Sequence, residues 1–281
     1  MFFRLAFDEK NLEFAAINDL ANLENLAYLL KYDSVYRVFP REVSTKTKGG
    51  KNYLVVDGRE ILVIQEEDPG KLPWKDLKID IVVEATGAFE SYEEARAHIR
   101  AGAKKVALTA PAKDPDTRDA KTILIGVNDR ETRGAVLTSN GSCTTNAASP
   151  VIQIMSENPG IKKAVLNTVH GYTATQNLVD GPARGKDFRR GRAAGQNIVP
   201  STTGAATAVT RAIPELTGKF DGISMRVPVI SGSIADITFL AGRKTSAEEI
   251  NNILEKAAKD PRWRGILKVT KDQIVSSDII G

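Results

Sequence analysis

Cys143 is the single cysteine of the chain, and it stands in TSNGSCTTNAASP (138–150), among serine, threonine and asparagine rather than apolar side chains. A lone cysteine is commonly a small buried hydrophobe, but a thiol placed for packing gains nothing from such neighbours. A nucleophile gains room for a substrate. The strand-like GAVLTSN precedes it, and the helix-like CTTNAASPVIQIMSEN begins with it. The unpaired amides and partial positive charge of a helix N-terminus favour a thiolate at that point.

A thiol nucleophile works with a base, and the chain offers two histidines, His98 and His170. His98 falls in the middle of the helical pattern SYEEARAHIRAG, on a face expected to be solvated or partly packed. His170 closes the apolar strand pattern AVLNTVHGYT, where a side chain can be aimed into a cleft. The pair assigned to chemistry is therefore Cys143 and His170.

Three further features suit an anion. STTGAA places Thr203 and Gly204 at a helix start, where amides and a hydroxyl hold phosphate oxygens, although the same residues also serve as an ordinary cap. Arg226, in SMRVP, interrupts an apolar strand, so its charge calls for a partner. RGKDFRRGR (184–192) holds most of the excess of 39 Lys and Arg over 35 Asp and Glu. A charge run of this kind is more often a solvated loop. A thiol, a base and several phosphate handles together describe an enzyme acting on a phosphorylated carbonyl compound. Two other classes stay open on these residues: a cysteine hydrolase using the same pair, and a nucleic-acid binder using the basic loop. That loop has only Phe188 as an interleaved aromatic.

These residues need elements to position them. Over 1–140, strand patterns (LEFAAIND, YLVVDGREILVI, IDIVVEATG, KVALTAP, TILIGVN) alternate with helical ones (FFRLAF, NLENLAYLLKY, and a helix boxed by Ser91 and Glu94 and stopped at Gly102). Alternation of this kind predicts a Rossmann-like, doubly wound α/β sheet. Asp57-Gly58 marks a hairpin turn. Asp19 ends a strand where an acidic residue receives ribose hydroxyls and repels the extra phosphate of NADP, and EATG (84–87) ends another at a ligand-binding edge. From about 142 the pattern changes to longer strands mixed with helices, predicting an α+β domain. The expected division is a dinucleotide-binding domain, 1–141, and a catalytic domain, 142–281. Apolar residues at 42% and charged residues at 26% are ordinary for a globular chain. One cysteine precludes an internal disulfide and suits a reducing cytoplasm. MFFRLAFDEKN lacks the pattern of a signal peptide, and no apolar run reaches the roughly 20 residues of a membrane helix.

With these residues in hand, the chain resembles phosphorylating glyceraldehyde-3-phosphate dehydrogenases. SNGSCTTNAASP, TVHGYTATQNLVDGP, PSTTGAATAV and GISMRVPV are similar to the family's motifs in order and spacing, and AIND, LPW, VVEATGAF, AGAKKV and VSSDIIG extend the similarity along the chain. The resemblance implies that Cys143 attacks the aldehyde with His170 as proton relay, that a hemithioacetal is oxidised by NAD to a thioester, and that inorganic phosphate releases 1,3-bisphosphoglycerate. It implies that Ser142, Thr144, Thr203 and Gly204 hold the attacking phosphate. Thr173, Thr175 and Arg226 would hold the substrate phosphate. Asp19, Leu20, Thr86, Gly87 and Thr109 would line the NAD site, Leu20 and Pro182 matching the NAD-preferring pattern. It further implies a homotetramer, with no nucleic acid or membrane as partner and the mostly antiparallel sheet of the family's catalytic domain. Erythrose-4-phosphate dehydrogenase shares most of these residues and is the nearest rival.

Departures accompany the resemblance: Ala147 replaces a common second cysteine, Glu67 a basic residue, and Thr207 a lysine, and the loop GPARGKDF is one residue longer. Met1 stands inside what resembles the family's first helix, so the first strand and its glycine-rich turn, and at the other end a closing strand and helix, are expected to be missing. Loss of a central strand would leave two strands with unpaired edges and weaken NAD binding.

Overall fold

The computed structural model describes residues 1–183 and 185–280; Arg184 of the basic loop and Gly281 lie outside the described residues. The chain divides into two compact units, one of residues 1–82 and 96–105, the other of 83–95 and 106–280.

The first unit contains α1 (Phe2–Ala6), β1 (Ala16–Asn18), α2 (Leu23–Lys31), β2 (Tyr32–Asp33), β3 (Arg37–Val38), β4 (Val43–Lys48), β5 (Lys51–Val56) and β6 (Arg59–Ile64). The large sheet has the order β1-β6-β5-β4, with β1 parallel to β6 and the other pairs antiparallel. Asp57 and Gly58 both have positive φ, 46° and 81°, which makes the tight turn between β5 and β6 that their sequence predicts. Asn22 caps α2 by accepting the Asn25 amide. Leu23 and Ala27, one turn apart, pack with Phe7, Phe39, Leu54, Val56, Ile61 and Val63. β1 is shorter than the LEFAAIND pattern because only Ala16–Asn18 find partners, Leu62–Ile64 of β6.

Next in the chain come β7 (Ile81–Glu84), α3 (Tyr92–Arg100), β8 (Lys105–Leu108), β9 (Ala120–Thr122) and β10 (Leu137–Ser139). These strands have the order β7-β8-β10-β9, with β10 parallel to both β8 and β9. The parallel strands before residue 141 are thus shared between two sheets, and among the described residues β1 and β7 are each terminal strands, paired on one side. Ser91 and Glu94 form the expected reciprocal box at the start of α3: the Glu94 amide donates to Ser91 Oγ at 3.1 Å and the Ser91 amide to Glu94 Oε2 at 3.2 Å.

Two local expectations are corrected. TILIGVN does not continue as a strand beyond Thr122, because the Asn128 side chain accepts the Leu124 amide and donates to the Thr122 carbonyl, removing those groups from a ladder. His98 is not on a solvated face. It is 4% exposed, and the Trp74 indole N–H donates to its Nδ1 at 3.0 Å.

The second unit continues with α4 (Cys143–Glu157), β11 (Ile161–Gly171), β12 (Val199–Thr202), α5 (Ala205–Ala212), β13 (Phe220–Val227), β14 (Ser233–Ala241) and α6 (Ala247–Ala257). The sheet order is β12-β13-β11-β14; β11 and β13 are parallel and the two flanking pairs antiparallel. Ala164 and Leu166 of β11 alternate inward to meet Ala148 and Ile152 of α4 and Ala205, Ala206 and Val209 of α5. No described helix is long and apolar enough to cross a membrane. The Rossmann-like and α+β architectures expected from the sequence are both present.

Candidate active site

Cys143 is the first residue of α4, and the turn that delivers it is built from its own sequence. Gly141 has φ +69°, and a Cβ there would meet Thr145 Cγ2 at 2.8 Å, so only glycine fits. Ser142 then caps the helix: its Oγ accepts the Thr145 amide at 3.0 Å and lies 2.8 Å from Thr145 Oγ1. Asn146 closes the turn, donating to the carbonyls of Asn140 and Ser142. Cys143 itself is exposed.

His170, near the end of β11, brings Nε2 to 3.1 Å from Cys143 Sγ. Its Nδ1 lies 2.6 Å from the Gly171 carbonyl oxygen. Gly171 cannot carry a side chain, since a Cβ would stand 2.5 Å from the Val229 carbonyl oxygen. Parallel register sets His170 directly opposite Arg226 of β13. Arg226 Nη1 is accordingly 2.8 Å from His170 Nδ1 and donates to the Gly171 carbonyl at 3.2 Å.

The electrostatics follow from these contacts. The His170 hydrogen bond is the main cause that lowers the Cys143 pKa below the ordinary thiol range; burial opposes it, and the hydroxyl and amide of Thr144 assist. Reciprocally, the Cys143 contact raises His170, while burial and the positive charge of Arg226 oppose the rise. Arg226 is lowered first by burial and then by the charge of Arg190. Two guanidinium groups near enough to repel one another describe a place for an anion.

Arg190 was visible in the sequence only as one of several charges in the basic loop. The structure sets it apart: its Nη1 donates to Thr175 Oγ1 at 3.1 Å, and Thr175 Oγ1 lies 3.0 Å from Thr173 Oγ1. Its ion pair with Asp187 is long, 3.8 Å. Thr173, Thr175, Arg190 and Arg226 therefore supply two hydroxyls and two cations. Thr203 accepts the Ala205 amide at 3.2 Å and precedes Gly204, the exposed N-cap of α5, which makes no side-chain cap. Thr144 is 4% exposed and turned to the sulfur, and Ser142 is engaged as the helix cap.

The residues expected at a dinucleotide lie at the carboxyl ends of strands, each within its own unit. In the first unit Asp19 follows β1; its amide donates to the Ile64 carbonyl, and its Oδ1 accepts the Ala21 amide at 2.9 Å. Asp19 and Leu20 are both exposed. In the second unit, Glu84 at the end of β7 accepts the amide and hydroxyl of Thr86, the amide at 2.7 Å. That holds the turn in which Gly87 has φ +70° with open space around it. Thr109, just past β8, donates through amide and hydroxyl to the Glu84 carbonyl. An exposed carboxylate and an unobstructed glycine turn at such strand ends fit a dinucleotide's ribose and phosphate groups.

Residues 142–281 match the sequence profile of the glyceraldehyde 3-phosphate dehydrogenase C-terminal domain, and residues 1–92 that of the same family's NAD binding domain. Glyceraldehyde-3-phosphate dehydrogenase of Thermotoga maritima is 49% identical over 99% of this chain and 81% of its own length. That of Borreliella burgdorferi is 46% identical over 99% and 82%, and that of Atlantibacter hermannii 44% over 99% and 92%. By its sequence over nearly its whole length, the chain belongs to the glyceraldehyde-3-phosphate dehydrogenase family.

Proposed function

We propose that Cys143 and His170 carry the family's reaction here, the NAD-dependent oxidation and phosphorylation of D-glyceraldehyde 3-phosphate in glycolysis. The observation that supports this reading is the 3.1 Å Sγ–Nε2 contact at the start of α4, with Arg226 donating to the Gly171 carbonyl beside it and feeling the charge of Arg190. The Cys143 thiolate adds to the aldehyde carbon, and His170 Nε2 protonates the oxygen to give a hemithioacetal. NAD, when bound, supplies the two-electron acceptor. As the carbon is oxidised His170 takes the hydroxyl proton back, leaving a thioester on Sγ. Inorganic phosphate attacks that carbonyl, and the Cys143 thiolate leaves as 1,3-bisphosphoglycerate forms.

The substrate phosphate is held by Thr173, Thr175, Arg226 and, in addition, Arg190. The attacking phosphate is held by Thr203 and Gly204 at the α5 start and by Ser142 and Thr144 at the α4 start. Asp19 and Leu20 in the first unit, and Thr86, Gly87 and Thr109 in the second, are the residues assigned to NAD, with Asp19 for its adenosine ribose. In functional terms 1–141 is the cofactor part and 142–281 the catalytic part, working in the reducing cytoplasm where a single thiol stays reduced.

Assembly into a homotetramer completes the reading. Val165 of β11, Ile223 of β13, and Ile234 and Leu240 of β14 share one sheet face and are all more than half exposed, an apolar surface suited to a second copy.

The decisive assay follows NADH produced from D-glyceraldehyde 3-phosphate with and without inorganic phosphate. The proposal expects sustained, phosphate-dependent turnover. NADH formation indifferent to phosphate, or none, would refute it. Sedimentation of the protein, against a Val165→Lys/Leu240→Lys variant, tests the assembly: the variant should sediment as a smaller species.

A further inference from the structure

Within the second unit, a polar network away from Cys143 ties the end of α5 to the loop after β8. Arg211, in the last turn of α5, donates through Nη1 to the Ala112 carbonyl at 3.0 Å, across 99 positions of the chain. The same Nη1 lies 3.7 Å from Asp116 Oδ1, and the two side chains are 23% and 18% exposed, so solvent screens the pair less than a surface one. Asp116 is itself held in place. It accepts the Thr122 amide at 2.8 Å, the Thr122 hydroxyl at 2.9 Å and the hydroxyl of buried Tyr92 at 3.2 Å. Three donors make the carboxylate a fixed point for the guanidinium.

The loop is fastened in turn to the backbone that delivers the sulfur. Ser139, fully buried, donates through Oγ to the Ala110 carbonyl at 2.7 Å and accepts the Gly141 amide at 3.2 Å. A connected path thus runs from the turn before Cys143 through Ser139, the 110–112 loop and Arg211 to α5.

We propose that Arg211 is a positioning residue for the phosphate-attack step: by anchoring α5 to the 109–116 loop, it sets Thr203 and the first amides of α5 where inorganic phosphate can reach the acyl carbon on Cys143. This rests on the reading of Thr203 and Gly204 as the attacking-phosphate site and adds the residue that places them. The rest of α5 gives the helix little axial definition. It packs on α4 and β11 through Ala205, Ala206 and Val209, and Gly204 makes no side-chain cap. Apolar burial has no direction, and alanines raise few ridges to lock a helix along its axis. A guanidinium held by a carbonyl and a carboxylate supplies that stop. In the step concerned, a phosphate oxygen bonds to the acyl carbon, the C–S bond breaks, and Cys143 leaves as thiolate. Acylation, which uses Cys143, His170 and the groups around Arg226, does not draw on α5.

The test compares the full chain with its Arg211→Met and Arg211→Lys variants. NADH from the first turnover without inorganic phosphate reports acylation, and kcat/KM for inorganic phosphate reports the attack. Arg211→Met should keep the first-turnover rate within about twofold and lower kcat/KM for phosphate roughly tenfold, since a small displacement is costly to an oriented attack. Arg211→Lys, which can still donate to the Ala112 carbonyl and pair with Asp116, should recover most of that loss. Hydrogen exchange gives a reading that needs no turnover: amides of 203–212 should exchange about fivefold faster in Arg211→Met, with those of 143–157 unchanged. Asp116→Asn keeps acceptors for Thr122 but not the charge, and decides the question if Arg211→Met does not fold. It should lower the same constant about threefold, the scale of one ion pair. A phosphate constant unmoved in these variants, an equal fall in first-turnover rate, or unchanged exchange over 203–212 overturns the positioning role. Thr203→Ala separates the two ideas: a phosphate constant unmoved there refutes Thr203 as the phosphate ligand, whatever Arg211 does.

Discussion

The Cys143 corner and the carboxyl ends of β1 and β7 are built on different principles. Around Cys143 the protein's own reacting atoms, Sγ and His170 Nε2, are held by the fold. A capped helix start presents the sulfur, strand register presents the imidazole, and the two groups are in contact. At the strand ends Asp19 and Leu20 stand exposed, and Gly87 has open space about it. Chemistry that must happen at one atom needs preorganisation, whereas a large ligand brings its own hydrogen-bonding groups and needs unobstructed edges. Substitutions in the first region should therefore damage turnover, and those in the second should alter affinity and choice of ligand.

The largest effect is expected from Cys143→Ser. The hydroxyl lacks the thiol's ionisation and nucleophilicity, so NADH formation should fall by at least about 10⁴-fold. Affinity for NAD, measured by calorimetry, should be unchanged, which separates the two regions directly.

His170→Gln ranks next, with a loss of roughly 10²–10⁴-fold in kcat. Its pH signature is sharper than its magnitude. The bond to His170 is the leading cause that lowers Cys143, so its removal moves the thiol back up towards its ordinary range. Alkylation of Cys143 should then require higher pH than in the wild type, the curve moving in the alkaline direction. A curve that stays in place would assign the depressed pKa to the helix start and Thr144 instead.

How much of this contrast was legible beforehand differs between the regions for a physical reason. Cys143, His170 and the α4 start were readable because a thiol in polar company and a histidine at a strand end are local statements about sequence. The contact of Arg226 with Nδ1 was not, since it depends on the parallel register of β11 with β13, strands 56 positions apart at that contact. Arg190 was hidden among like charges, and only its partner Thr175 distinguishes it. His98 misled because helical periodicity gives a face but not what covers it; Trp74, 24 residues earlier, was needed. β9 ended early because a side chain, Asn128, took the place of a strand partner. The alternation of strands and helices was plain in the sequence, but its division into two sheets depended on which strands found partners.

Asp19→Gly tests the second region. Removing the carboxylate withdraws a charged hydrogen bond of about 1.5–3 kcal/mol from the NAD ribose and the repulsion that excludes NADP. The ratio of kcat/KM for NAD over NADP should fall about 10- to 100-fold, with the alkylation rate of Cys143 unaltered. A change in alkylation would mean that the two regions are not energetically separate.

The smallest expected effect refines the first principle. Ser142 Oγ accepts the Thr145 amide, so Ser142→Ala should lower stability to denaturant by about 1 kcal/mol, the ordinary value of an N-cap. If preorganisation of the α4 start matters to chemistry, the same variant should also lower kcat, because the first turn that presents Cys143 and the Thr144 amide would fray. The stability loss and the kcat loss are separable by Ser142→Asp, which restores a cap. That variant should recover the stability, while its added negative charge, close to the developing thiolate, should raise the Cys143 pKa and keep turnover low. Recovery of both would reduce Ser142 to a cap and remove it from the groups proposed to hold the attacking phosphate.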